Sequence, residues 1–203
     1  VGLDDMARGS LIHTLLERFW RQTRGQAELL ALTPAELAVR LQECAEATVV
    51  RLVKERRCDL PPRQRQLELA RLLALAGDWL AVEAQRSAFE IVEIEKQHIE
   101  QVGRLTITTR VDRIDALADG RLAIIDYKTG RVDVGQWSDA RLSEPQLPLY
   151  CIGSGGEAVG AVLFAALRNR TRERGFRGLA ATEGLWPAQE QALQKLLDER
   201  GWR

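Results

Sequence analysis

Lysine is scarce in this chain. It occurs only at Lys54, Lys96, Lys128 and Lys195, the rest of the basic complement being arginine. A lysine inside Asp126-Tyr127-Lys128 is therefore poor filler. Cysteine is rarer still: Cys44, Cys58 and Cys151 are odd in number and scattered, which argues against a disulfide framework and against metal-ligand spacing. No apolar run is long enough to span a bilayer, and no basic region followed by a hydrophobic stretch opens the chain, so the expectation is a cytoplasmic protein with no membrane partner. Charge of either sign is not in excess. With 29 basic and 29 acidic residues there is no global pull toward a polyanion, and any nucleic-acid binding must come from a local patch. The chain opens at Val1 without a methionine, and a segment of a longer polypeptide is expected.

What is present is an ordinary globular composition, 45% hydrophobic and 29% charged over 203 residues, enough for one substantial core. The first half reads as helix. Ile12, Leu15, Leu16 and Phe19 recur at helical spacing from about Arg8 to Arg24. Thr33-Pro34-Ala35-Glu36 is a capping box with proline at the first helical position, opening a helix to about Arg56. Pro61-Pro62 interrupts, and a further helix to about Ser87 carries a stripe of Leu69, Leu73, Ala76 and Leu80. The period then shortens. Phe89–Glu95, Leu105–Ile114 and Arg121–Tyr127 read as strands, with Asp119-Gly120 as a turn signal. A helix over Ser143–Ile152, a buried strand over Ala158–Leu167, a basic loop over Arg168–Arg177 and a closing helix over Pro187–Arg200 follow. The expected architecture is a single α/β domain over residues 1–203: a helical portion at about 8–87, a small mixed sheet at about 89–167, and a C-terminal loop and helix at 168–203.

Two of these strands carry costly polar groups. Asp112, Asp126 and Lys128 stand among aliphatics, and on one strand Asp126 and Lys128 share a face with Leu122 and Ile124. Carboxylates beside an apolar core need a partner. Either Asp126 and Lys128 form a buried salt bridge, or the carboxylates hold a divalent metal with a lysine alongside, a set suited to phosphodiester hydrolysis. For Asp112 to join the other two, register must bring it opposite Asp126 or Lys128. A two-residue Asp119-Gly120 turn puts it opposite Tyr127 instead, so an odd-length loop or a bulge is required.

The order Arg8-Gly9…His13…Glu17, Asp112-Arg113-Ile114-Asp115, Asp126-Tyr127-Lys128-Thr129-Gly130 and Gln146…Tyr150 resembles the RecB-like nuclease domain of the PD-(D/E)xK superfamily, over nearly the whole chain. The resemblance implies a restriction-endonuclease-like core, a small mixed sheet flanked by helices. It implies a Mg²⁺- or Mn²⁺-dependent deoxyribonuclease, an exonuclease module of DNA repair or recombination that acts on DNA with a single-stranded end beside a helicase domain or subunit. Carried over by residue, His13, Asp112, Asp126 and the Tyr127 backbone carbonyl correspond to metal ligands. Asp112, Asp126 and Lys128 are then the catalytic set, and Gln146 and Tyr150 position DNA. Glu17, one turn after His13, would orient it or be a solvated helix charge.

Blander readings stand beside these. His13 by itself suits a core histidine, Gln146 a helix cap and Tyr150 a packing residue. Arg113 and Asp115 read as a structural ion pair. Glu93 and Glu95 read as facing water, with one of them as a possible extra acid. Arg168, Arg170 and Arg172, with Arg174 and Arg177, form the densest basic stretch, a candidate phosphate-binding loop with Phe176 for base stacking, or else a solvated loop. Gly130 is expected to allow close backbone approach. Thr109 stands where the family often has glycine. Some relatives hold an iron–sulfur cluster; with nothing before His13 and only Cys151 near the last motif, no cluster is expected here. The rival function is a catalytically silent nuclease-like module that binds DNA or braces a helicase complex.

Overall fold

The computed structural model describes residues 3–56, 60–102, 104–138, 146–153, 159–167, 174–181 and 191–192. The chain forms two compact units, Val1–Gln85 and Arg86–Arg203, and the division falls where the sequence period shortens.

The first unit is helical: α1 (Asp5–Gln22), α2 (Gln26–Ala31), α3 (Pro34–Arg56) and α4 (Pro62–Ala84). Asp4 caps α1, its Oδ1 accepting from the Ala7 N–H at 2.7 Å. The apolar residues expected on α1 are all buried, Ile12, Leu15, Leu16 and Phe19 among them. The capping box at α3 is formed, with the Thr33 N–H donating to Glu36 Oε2 at 2.8 Å and the Glu36 N–H to Thr33 Oγ1 at 3.3 Å. The Thr33 hydroxyl also donates to Glu36 Oε2 at 2.7 Å, and this bond, with that from the Thr33 N–H, holds the Glu36 carboxyl below its usual range. On α4 the buried stripe differs from the expected one. Leu72, Ala76, Trp79 and Leu80 are buried while Leu69 and Leu73 are only half-buried, because the stripe follows Trp79 and Glu83, whose side chains hydrogen-bond at 3.0 Å. Arg8 forks onto Glu68, with NH2 to Oε1 at 2.7 Å, tying α1 to α4.

The second unit is a six-stranded mixed sheet in sequence order: β1 (Phe89–Val102), β2 (Leu105–Leu117), β3 (Leu122–Lys128), β4 (Val159–Ala166), β5 (Gly175–Ala180) and β6 (Gln191–Ala192). β1–β2, β2–β3 and β4–β5 are antiparallel, while β3–β4 and β5–β6 are parallel. A parallel neighbour needs a crossover. The stretch between β3 and β4 contains a 3-10 helix (Val134–Ser138) and α5 (Gln146–Gly153). Leu147, Tyr150 and Cys151 of α5 join Trp137, Ile114, Ile124, Val162 and Phe164 in one core cluster. β4 is buried throughout, as its unbroken apolar sequence requires.

This is the restriction-endonuclease-like α/β arrangement, with a helical N-terminal half. Three details depart from the sequence reading. β1 and β2 are longer than expected and pair far beyond the rest of the sheet. The basic stretch does not remain loop to Arg177: Gly175–Ala180 is a strand, because Phe176 and Leu179 are buried and Gly178 allows close packing on β4. A Cβ on Gly178 would lie 2.0 Å from the Val162 carbonyl oxygen. Gln191–Ala192, the described part of the expected closing helix, pairs as a strand with Leu179–Ala180.

Candidate active site

The β2–β3 hairpin turns through Ala118, Asp119 and Gly120. The Leu117 N–H donates to the Arg121 carbonyl at 2.8 Å, and Gly120 takes φ 83°, a left-handed conformation that glycine adopts at little cost. A three-residue loop meets the odd-length requirement. Pairing runs Ala116 with Leu122 through Arg113 with Ile125, and the next step of that register brings Asp112 level with Asp126. There the ladder stops and a side chain takes over. Asp112 Oδ2 accepts the Tyr127 backbone N–H at 2.7 Å, which anchors this carboxylate across the gap.

On β3, Asp126 is buried and its Oδ2 lies 3.1 Å from Lys128 Nζ. The salt bridge read from the sequence is therefore formed, and it stands next to Asp112 rather than instead of it. Lys128 keeps 32% of its side chain exposed. Its ammonium sits 5.6 Å from the Phe164 ring, itself packed on Trp137 at 4.8 Å between centroids. Phe164 is the β4 partner of Asp126, so aromatic packing limits where the lysine can go. No local pattern in the sequence pointed to these two supports; pairing across the crossover brings them here.

Glu95 is the acid that the sequence reading underrated. Its neighbours in the β1–β2 ladder, Ile94 with Arg113 and Lys96 with Val111, put it opposite Asp112. Its φ of 54° lies in the left-handed region, rare for a residue with a Cβ. Its side chain is only 11% exposed and does not face water. A carboxylate oxygen of Glu95 and one of Asp112 lie within 4.8 Å of each other. Glu95 also pairs with Arg110. Glu93 pairs instead with Lys96, whose pKa that hydrogen bond raises. Clustered carboxylate oxygens fit a hard divalent cation such as Mg²⁺ or Mn²⁺.

Tyr127 points its phenol to a buried ion cluster. Arg113 grips Asp115 with both arms, Nε and NH2 each at 2.7 Å, and NH1 donates to the Tyr127 hydroxyl at 2.9 Å. Arg86 reaches Asp115 at 2.9 Å and lies 4.0 Å from the Phe89 ring centroid. The Arg113–Asp115 pair is thus structural, as read from the sequence, and Tyr127 links it to the strand whose N–H holds Asp112.

The remaining residues read from the sequence are placed as follows. His13 is on α1 in the helical unit, half-buried. Glu17 accepts from Arg21 at 3.0 Å, in an i,i+4 ion pair. Tyr150 is buried on α5. Gln146 opens α5, its side chain lying outside the described residues, as do Arg168, Arg170 and Arg172. Phe176 is not available for base stacking: it is buried, with the Arg86 guanidinium 4.9 Å from its ring centroid. Among the described residues a Cβ on Gly130 would meet nothing within 4 Å, so the space beside it is open. Cys44 and Cys151 are buried thiols; burial pushes Cys151 up to about 11.

A mixed sheet with carboxylates from three adjacent strands and a lysine two residues after the last defines a nuclease-type α/β protein. The chain matches the family model of the PD-(D/E)XK nuclease superfamily over residues 2–200 and belongs to that superfamily. No curated protein matches it. Among the described residues no helix is long and apolar enough to cross a membrane.

Proposed function

We propose that this protein is a metal-dependent deoxyribonuclease, an exonuclease module of DNA repair or recombination that works beside a helicase domain or subunit. The observation that carries the reading is Lys128 held 3.1 Å from Asp126 at the end of β3, with Asp112 and Glu95 on the next strands, in a member of a nuclease superfamily. The RecB-like order of motifs supports the exonuclease role, the helicase partner and DNA with a single-stranded end as substrate.

Asp112 and Asp126, with Glu95, are the carboxylates that would hold Mg²⁺ or Mn²⁺; His13 and the Tyr127 carbonyl are the further ligands implied by the resemblance. A bound divalent cation supplies Lewis acidity at the scissile phosphate and lowers the pKa of water there. Lys128 places a positive charge where the phosphate gains negative charge on attack, or orients the attacking water. The Tyr127 N–H keeps Asp112 aimed. Gln146 and Tyr150 position the strand, Glu17 supports His13 from behind, and Arg168, Arg170 and Arg172 bind phosphates.

The test is degradation of single- and double-stranded DNA with Mg²⁺ or Mn²⁺ in the full-length chain with its partners. Wild type should cleave, and Lys128→Ala and Asp126→Ala should each lose at least about a hundredfold in kcat. An inert wild type in that setting rejects the enzyme reading.

A further inference from the structure

β1 and β2 continue as a two-stranded ribbon well past the last β2–β3 pair, to Val102 and Leu105. One side of its β2 strand is covered at Thr109 and Val111, while Thr106, Thr108 and Arg110 alternate with them and are exposed. Across the ladder, Arg110 pairs with Gln97 and Thr108 with Ile99, both exposed. This exposed row carries one cation, two hydroxyls, an amide and the aliphatic Ile99, and none of these five residues is acidic. It begins where the carboxylates end. Arg110 pairs with Glu95, and a Glu95 oxygen lies within 4.8 Å of one from Asp112. An open depression of about 560 Å³ runs there, lined by Glu93, Glu95, Lys96, Gln97 and Arg110 among others.

The pair is lopsided. Glu95 is 11% exposed and strained at φ 54°, while Arg110 keeps 58% of its side chain in solvent. A guanidinium so placed exchanges partners easily, and its fork of donors suits a phosphate as well as a carboxylate. Arg110 stands two residues from Asp112, ~6.8 Å along the strand, comparable to the separation of successive phosphates in an extended polynucleotide.

We propose that Arg110 is a substrate contact for the phosphate adjoining the scissile one, and that its ion pair with Glu95 is a latch exchanged for that phosphate, the exposed ribbon being the path of the strand. This rests on the nuclease reading. The chain's zero net charge makes such a local contact important, since binding here has no global attraction to draw on.

Binding of the full chain to a fluorescein-labelled oligothymidylate, measured without divalent metal across a salt series, tests the assignment. Arg110→Ala should weaken binding about tenfold and reduce the slope of log K against log salt by about 0.7, while Arg110→Lys keeps most of the slope. Glu95→Gln should tighten binding by releasing Arg110, and the gain should vanish in Glu95→Gln/Arg110→Ala. Unchanged affinity and slope in Arg110→Ala overturn the contact. An equal gain from Glu95→Gln in both backgrounds overturns the latch. Absence of cleavage by wild type with metal would sink the nuclease reading instead, and the binding comparison does not depend on cleavage.

Discussion

Glu95 concentrates the tension between stability and function in one residue. A glutamate in the left-handed region costs about 1–2 kcal/mol relative to an extended strand residue, and the surrounding ladder holds it there. Asparagine tolerates that conformation far better. Glu95→Asn should therefore unfold at the same temperature or higher, although it loses the Arg110 pair, and should bind Mn²⁺ more weakly by calorimetry. A clear fall in Tm would mean that the Arg110 pair outweighs the strain. The sequence held no sign of this conformation, because left-handed residues are foreseen from glycine and asparagine. Asp112, Asp126, Lys128 and the Arg113–Asp115 pair were legible because ionised groups among aliphatics are costly and must be matched.

At the scale of elements, what could be read was what local sequence controls. The capping box, the Pro61-Pro62 break and the apolar run of β4 each follow from interactions a few residues apart, while the parity of the β2–β3 loop followed from the face that Asp112 had to share with Asp126. β5 was missed because its arginines looked like a solvated loop, and its glycines hid a strand packed closely on a neighbour. Gly178 carries that packing: Val162 O and Leu163 Cα stand 2.0 and 2.9 Å from where a Cβ would be. Both are backbone atoms of β4 and cannot swing aside. Gly178→Ala should cost about 1–3 kcal/mol, read as a lower urea midpoint and faster amide exchange in Gly175–Ala180. Exchange rates equal to wild type along β5 would reject that close packing.

At the scale of the whole molecule, the acidic residues of the second unit form a concentration of like charge that a bound cation would relieve. Metal binding to the native state alone adds RT ln(1 + [L]/Kd), about 2.7 kcal/mol at a hundred times Kd. Mn²⁺ should therefore raise Tm of the wild-type chain, and chelation should reverse the rise. Asp112→Asn should abolish most of the shift while folding normally, since an amide oxygen can still accept the Tyr127 N–H. A shift of the same size in Asp112→Asn would place the cation elsewhere.

The amino-acid sequence by itself determined the helical first half and the strands that carry Asp112, Asp126 and Lys128, because periodicity, caps and the rarity of charge in apolar strands are properties of neighbouring residues; the order of its motifs carried the resemblance to the nuclease superfamily. Only the tertiary structure decided that Glu95 stands beside Asp112, that Phe164 and Trp137 back the lysine, that Phe176 is buried under Arg86, and that Arg110 guards the edge of the carboxylates. Those relations depend on register and on a crossover between distant strands, where a shift of one residue changes every partner.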